Sequence, residues 1–201
     1  TEILKDEMHG SYLGNEFKEN EIIEKFDDIG AVYEKLDQNE IIEKTVNDLV
    51  DGKAVGWFQG RMEFGPRALG NRSILGDPRS DKMQKNLNLK VKFRESFRPF
   101  APSILKEDLA NWFNLDVSSP YMLLTADINV KKKIEMTEEQ KKLFGIEKLN
   151  IKRSEIPAVT HVDYSARIQT VSRSMNEKYY DLISKLKEKT SCPVLVNTSF
   201  N

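Results

Sequence analysis

The chain has 201 residues, of which 39% are hydrophobic and 31% are charged, and its formal net charge is −1. This composition suits one domain with a full core and argues against a generally basic surface that coats nucleic acid. The single cysteine, Cys192, excludes an intramolecular disulfide and is typical of a cytoplasmic protein, and no apolar run reaches the roughly 18 residues of a membrane-spanning helix.

Helical and strand patterns alternate along the chain, which predicts an α/β domain, with an α+β arrangement as a variant. Residues 1–18 are expected to be irregular or a linker, and the domain is expected to occupy residues 19–201. The charge-rich stretch 131–152 predicts a solvated excursion. Helices are predicted at 21–26, 39–50, 80–89, 107–113, 138–144 and 177–189, and strands at 54–58, 73–75, 90–94, 121–128 and 192–196.

Residues 61–73, Arg-Met-Glu-Phe-Gly-Pro-Arg-Ala-Leu-Gly-Asn-Arg-Ser, follow a predicted strand and form the most informative stretch. Glycine lets backbone N–H groups approach a ligand, and the planar guanidinium of arginine matches phosphate or carboxylate oxygens in pairs. The stretch therefore predicts an anion site built on Arg61, Arg67 and Arg72. The alternative is a structural turn whose arginines pair with surface acids. Glu63 is expected to orient an arginine or to form a buried ion pair.

A second basic stretch follows, in which Lys90, Lys92 and Arg94 alternate with apolar residues. In a strand this alternation would place three cations on one face, where they repel each other unless an anion covers them. Arg98 lies in a turn that prolines restrict. Between residues 61 and 98 there are ten Lys or Arg and four Asp or Glu, an excess of six positive charges. Such an island on a near-neutral chain predicts a local anion site.

Two later segments also carry side chains typical of a site. Residues 160–171 combine His161, Asp163, Ser165 and Arg167 ahead of a β-branched run. The apolar strand at 192–196 leads into Asn-Thr-Ser-Phe-Asn, a polar cluster at the carboxyl end of a strand, where ligands of open α/β sheets commonly bind.

The strings GRMEFGPRALGNRSIL, KVKFRESFRPFAPSIL, THVDYSARIQTV and PVLVNTSFN, in this order, resemble the C-terminal region of the O-carbamoyltransferases, such as the nodulation-factor, tobramycin and cephamycin enzymes. The resemblance implies a YrdC-like domain with a twisted, mainly parallel open sheet and flanking helices. It also implies a chain shortened at its C-terminus and lacking the N-terminal transferase domain, which holds the family's iron or other metal site. No metal site is expected in this chain.

The resemblance further implies that the domain binds ATP, with Mg²⁺, and carbamoyl phosphate, and forms carbamoyl-adenylate for the missing domain to transfer to a hydroxyl. It places the catalytic roles on Lys92, Arg98 and Arg67. It gives substrate and nucleotide binding to Arg94, Arg167, Asn197 and Ser199.

Several alternatives stay open at this stage. A YrdC-like module for tRNA modification or RNA binding would also carry a basic island, although no aromatic platforms are grouped beside it. A nucleotide sensor without turnover is a further alternative. The family usually has glycine where Tyr164 stands, so the bulky side chain is expected to alter the local turn geometry and the width of the pocket. His161 is expected to be structural more often than catalytic.

Overall fold

The computed structural model describes residues 6–200, and an open six-stranded sheet organises this part of the chain. The strand order is β1-β2-β6-β3-β5-β4. The strands are β1 (Val55–Phe58), β2 (Arg72–Gly76), β3 (Ala101–Leu105), β4 (Leu124–Asp127), β5 (Ser165–Val171) and β6 (Val194–Thr198).

Helices flank this sheet, so the expected α/β class is confirmed, but the expectation of a mainly parallel sheet is wrong. Among the described strands only β3 and β5 pair in parallel. The other four pairings are antiparallel. Two of these pairings arise because β6, the last described strand in the chain, lies antiparallel between β2 and β3. The other two join strands that are consecutive in the chain, β1 with β2 and β4 with β5.

Side chains cap the N-termini of α2, α5 and α7. In α2 the Asp37 side chain accepts from the backbone N–H of Asn39 and Glu40, and the Glu40 side chain accepts from Asp37, which completes a capping box. The helices are α1 (Glu19–Asp28), α2 (Gln38–Val50), α3 (Met83–Lys90), α4 (Leu109–Trp112), α5 (Glu138–Lys141), α6 (Gly145–Leu149) and α7 (Glu177–Thr190). Within residues 6–200 no helix combines the length and apolar character that crossing a bilayer requires.

Two hydrophobic cores cover the two faces of the sheet. On one face, α2 and α7 pack their apolar sides against the sheet around Leu49, Leu182 and Leu195. On the other face, α3 and α4 pack around Leu87, Phe113 and Ile168. By contrast, α5 and α6, in the stretch expected to be solvated, contain no buried residue.

Several sequence predictions of local structure are corrected, and the helix predicted at 138–144 ends at Lys141. Residues 90–94 do not form a strand, because α3 extends to Lys90 and a turn follows, in which Phe93 has a left-handed φ of 49°. The helix predicted from residue 80 begins at Met83, because a turn occupies the residues just before it. The strand predicted at 121–128 is shorter, at Leu124–Asp127.

The segment expected to be an irregular linker packs onto the domain. Residues 1–5 and 201 lie outside the described part. Residues 6–18 contain one short 3₁₀ turn, His9–Ser11, and are otherwise irregular. Tyr12 donates its hydroxyl to the Leu69 carbonyl at 2.9 Å, and Phe64 N–H donates to the Ser11 carbonyl at 2.7 Å.

We expect Gly70→Ala to destabilise the protein by about 3 kcal/mol, from a left-handed backbone and a steric clash together. Gly70 has φ 106°, and an added Cβ would lie 2.3 Å from a ring carbon of the fully buried Tyr179. Urea unfolding would measure the loss.

Gly52→Ala is the matched control. Gly52 also has a positive φ, 79°, but an added Cβ would meet nothing within 4 Å. Only backbone strain of about 1 kcal/mol is expected there. Equal losses at the two positions would contradict the proposed contact with Tyr179.

Candidate functional site

A cationic pocket of about 230 Å³ lies at one end of the sheet, where the carboxyl end of β6 meets the amino ends of β3 and β5. It brings together six of the seven site residues predicted from the sequence. Four lining side chains are cations and, among the described lining residues, none is a carboxylate. The six predicted residues are Arg67, Lys92, Arg94, Arg167, Asn197 and Ser199.

The loop formed by residues 61–73, the arginine loop, is organised by a buried carboxylate. Glu63 is only 6% exposed. Its Oε1 atom accepts backbone N–H groups from Leu69 at 2.7 Å, Asn71 at 2.8 Å and Arg72 at 3.3 Å. Glu63 therefore orients the backbone of the loop, and no arginine of residues 6–200 forms an ion pair with it. The two roles expected for Glu63, orienting an arginine side chain and forming a buried ion pair, are therefore wrong.

Only one arginine of the loop reaches the pocket. Arg67 lines it. Arg72 instead donates to four backbone carbonyls and stacks 3.5 Å above the Phe58 ring. Arg61 is exposed, and its Nε lies 3.8 Å from Glu16. The predicted three-arginine site is thus reduced to Arg67, while Arg72 stabilises the base of the loop.

A buried amide network fixes the floor of the pocket. Asn197 is 2% exposed, and its Nδ2 donates to the Ala68 carbonyl at 3.0 Å, Ser103 Oγ at 3.1 Å and Gln169 Oε1 at 2.9 Å. Gln169 Nε2 donates to the Leu69 carbonyl at 2.8 Å. Asn197 therefore holds β6, β3, β5 and the loop together.

Sequence reasoning missed Gln169 and Ser103. The one available signal was a polar residue inside the strand pattern of each segment. Gln169 lies between Ile168 and Thr170, and Ser103 precedes Ile104. A buried polar side chain in a strand needs a partner, and here the partners are each other, at 2.6 Å.

Lys92 and Arg94 reach the pocket from the turn after α3. Lys92 Nζ donates to the Ser199 backbone carbonyl and lies 3.3 Å from Ser199 Oγ. Arg94 Nε donates to Asn88 Oδ1 at 2.6 Å, and its guanidinium lies 4.9 Å from the Phe100 ring centroid. The turn thus joins α3 to the segment that follows β6.

The electrostatics of the pocket favour an anionic ligand. Burial, and next the neighbouring Arg94, lower the pKa of Lys92. Burial and the charge of Arg67 lower the pKa of Arg167 in the same way. The Nε atoms of Arg67 and Arg167 are buried and have no partner among the described residues. An anion would supply acceptors and offset the mutual repulsion.

Arg98, the seventh predicted residue, lies outside the pocket. It is exposed, and its Nε bonds to Glu95 at 2.9 Å. It lines a second cavity of about 570 Å³, the Arg98 cleft, and Pro99 lines both cavities. The cleft is also lined by Lys85, Phe97, Lys152, Arg153 and His161, among others.

Tyr164 lines neither of these cavities. Its φ of 67° lies in the left-handed region, which glycine adopts without strain. The turn therefore suits the glycine that the family usually has at this position. The Lys133 ammonium lies 4.9 Å from the centroid of its ring. Among residues 6–200 there is no group of three or more His, Cys, Asp or Glu arranged to hold a metal ion.

We expect Glu63→Ala to destabilise the protein by about 3 kcal/mol, because three buried backbone donors of the arginine loop lose their acceptor. Chemical unfolding would measure this loss. Glu16→Ala removes an exposed acid and should change stability by less than about 0.5 kcal/mol. A cost for Glu63→Ala no larger than that of this control would show that the loop does not depend on the carboxylate.

Anion affinity should fall as pH rises through the lowered pKa of Lys92, because an anion binds its protonated form and the neutral amine offers little attraction. Sulfate is a suitable probe, since its charge is constant over this range. Calorimetry between about pH 7 and about pH 10 would record the decline. The Lys92→Arg variant keeps its positive charge throughout, so its affinity for sulfate should not change over this pH range. A decline similar to that of the wild type would assign the titration to another group.

Comparison with known proteins places most of the chain in one family. Residues 46–201 match the family model described as carbamoyltransferase C-terminus. An uncharacterized protein of Synechocystis sp. is 55% identical over 98% of this chain and 32% of its own length. The nodulation protein NolO of Bradyrhizobium diazoefficiens is 40% identical over 100% of the chain and 33% of its own length.

A 3'-hydroxymethylcephem-O-carbamoyltransferase of Streptomyces clavuligerus is 39% identical over 76% of the chain and 25% of its own length. The chain thus spans a quarter to a third of these relatives. The family model covers more than half of the chain. The chain therefore belongs to the carbamoyltransferase family, and its residues 46–201 correspond to the C-terminal region of that family.

Proposed function

We propose that the cationic pocket and the adjoining Arg98 cleft bind carbamoyl phosphate and ATP and form carbamoyl-adenylate. The observation that carries this proposal is the convergence of Arg67, Lys92, Arg94 and Arg167 on one pocket without a carboxylate among its described lining residues. Guanidinium groups bind phosphate oxygens in pairs, and a partly buried setting strengthens such bonds.

The sizes of the two cavities support a division of labour. A volume of about 230 Å³ is small for a nucleotide together with a second substrate, whereas small-molecule sites commonly measure about 300–1,000 Å³. The Arg98 cleft adds about 570 Å³ beyond Pro99. The phosphates would lie in the pocket and the nucleoside in the cleft. Arg98, at their junction, would then contact the nucleotide from the cleft side.

The reaction does not require a covalent bond between the substrates and the protein. Carbamoyl phosphate, ATP and water give carbamoyl-adenylate, pyrophosphate and phosphate. Water adds to the carbamoyl carbon as the bond from that carbon to the phosphate oxygen breaks, which gives carbamate, phosphate and a proton released to solvent. A carbamate oxygen then attacks the α-phosphorus. The new bond to the α-phosphorus forms as its bond to pyrophosphate breaks. Positioning by Arg67, Lys92 and Arg167 and stabilisation of negative charge would supply most of the rate.

Mg²⁺ would be held mainly by the nucleotide. The described lining of the cationic pocket offers no carboxylate, which is the side chain that Mg²⁺ prefers. Phosphate oxygens and water would therefore complete its coordination, and its charge would neutralise part of the triphosphate.

The second stage, transfer of the carbamoyl group to a hydroxyl, would take place in a separate N-terminal transferase domain. The Streptomyces clavuligerus relative is named for a hydroxymethyl acceptor, which supports a hydroxyl acceptor. In this proposal carbamoyl-adenylate passes from the cationic pocket to that domain.

We expect Arg67→Ala and Arg167→Ala each to weaken binding of carbamoyl phosphate and of Mg-ATP by about tenfold or more, because each removes a charged donor from the pocket. Isothermal titration calorimetry would measure both ligands. Arg61→Ala, which removes a charge from the same loop outside the pocket, should stay within about twofold.

The Arg98→Ala variant tests the division between the cavities. It should weaken Mg-ATP binding more than carbamoyl phosphate binding. Pyrophosphate release that requires both substrates would support the reaction. Binding of RNA that falls steeply with salt and ignores nucleotide would instead favour an RNA-binding module.

A further inference from the structure

We infer that Asn88 is a positioning residue for anion binding: its buried amide fixes the turn at residues 91–98 and aims Arg94 into the cationic pocket. Asn88 lies on α3, lines neither cavity and is 0% exposed. The inference rests on the anion-binding part of the proposed function and is independent of the reaction that follows.

All polar groups of the Asn88 side chain are used within this turn. Oδ1 accepts from Arg94 Nε at 2.6 Å. Nδ2 donates to the Arg98 carbonyl at 2.7 Å and to the Ser96 carbonyl at 3.2 Å. The Asn88 backbone carbonyl also accepts from the Arg94 backbone N–H at 3.0 Å. One residue of α3 thus contacts both the main chain and a functional side chain of the turn.

These contacts define the orientation of the Arg94 guanidinium. Its Nε edge is held by Asn88, and its face lies against Phe100. The two Nη groups are then the donors that remain for a ligand, since Arg94 lines the pocket. A guanidinium fixed in this way loses less conformational entropy on binding an anion.

The turn needs such support because its own conformation is unfavourable. Phe93, between Lys92 and Arg94, has a left-handed φ of 49° and an exposed side chain that contributes no core packing. Left-handed backbone is unfavourable for a non-glycine residue, because its Cβ comes too close to the following carbonyl oxygen. The amide of Asn88 provides the hydrogen bonds that offset this cost.

The test uses inorganic pyrophosphate as the probe, titrated calorimetrically into the 201-residue chain. Asn88→Ala should weaken binding by about tenfold. Met83→Ala is the matched control: Met83 is a buried residue of the same helix that packs in the core and on Gly76. It should reduce stability, because the substitution leaves a cavity in the core. Its pyrophosphate affinity should nevertheless stay within about twofold of the wild type.

A double-mutant cycle separates positioning from general destabilisation. If Asn88 acts through Arg94, the combined variant Asn88→Ala with Arg94→Ala should bind little worse than Arg94→Ala alone. Full additivity of the two losses would overturn the inference. Equal losses in Asn88→Ala and Met83→Ala would do so as well.

A second variant covers the case in which Asn88→Ala does not fold. Arg94→Lys keeps the charge at a partly exposed position, but its single ammonium nitrogen cannot both bond Asn88 and present the planar pair of donors that the guanidinium offers. It should lose nearly as much pyrophosphate affinity as Arg94→Ala, and wild-type affinity in this variant would refute the inference. Absence of pyrophosphate binding by the wild-type chain would overturn the proposed function and this inference together; binding that Asn88→Ala and Arg94→Lys leave unchanged would overturn this inference alone.

Discussion

The carboxylate of Glu63, bonded to three backbone N–H groups, is the interaction on which the rest of the site depends. It closes the arginine loop without using any arginine side chain. Arg67 is therefore left to the pocket. The Leu69 and Ala68 carbonyls next to it become acceptors for Gln169 and Asn197. The buried carboxylate of Glu63 thus fixes the backbone of the loop that carries Arg67 into the pocket.

A similar arrangement supports the turn that carries Lys92 and Arg94, which the buried Asn88 of α3 holds in place. In both places a buried polar group binds main-chain atoms of an irregular segment, and the cations are held close together despite their repulsion. Rigid elements on either side, α3 and the end of β6, supply the stability. The pocket is consequently built from loops, but its geometry is set by the sheet and one helix.

Sequence reasoning predicted the α/β class and the long helices α2 and α7 from periodicity, and a local anion site from the charge pattern. The set that includes the six residues converging on the pocket is implied by the resemblance to the O-carbamoyltransferases. It placed residues 90–94 in a strand, since alternation alone cannot show that α3 extends to Lys90. It also missed Asn88 and Gln169, whose roles depend on partners distant in the fold. The antiparallel position of β6 could not be read from local pattern, because strand order is set by long-range packing.

The central position of β6 has a consequence for how the domain acquires its structure. Its neighbours β2 and β3 end more than 80 residues before it in the sequence, yet each pairs with it. Until β6 inserts, both strands present unpaired edges, and the contact between Lys92 and Ser199, 107 residues apart, is absent. The chain made before β6 therefore exposes two strand edges, and such edges are sites at which one chain can pair with another.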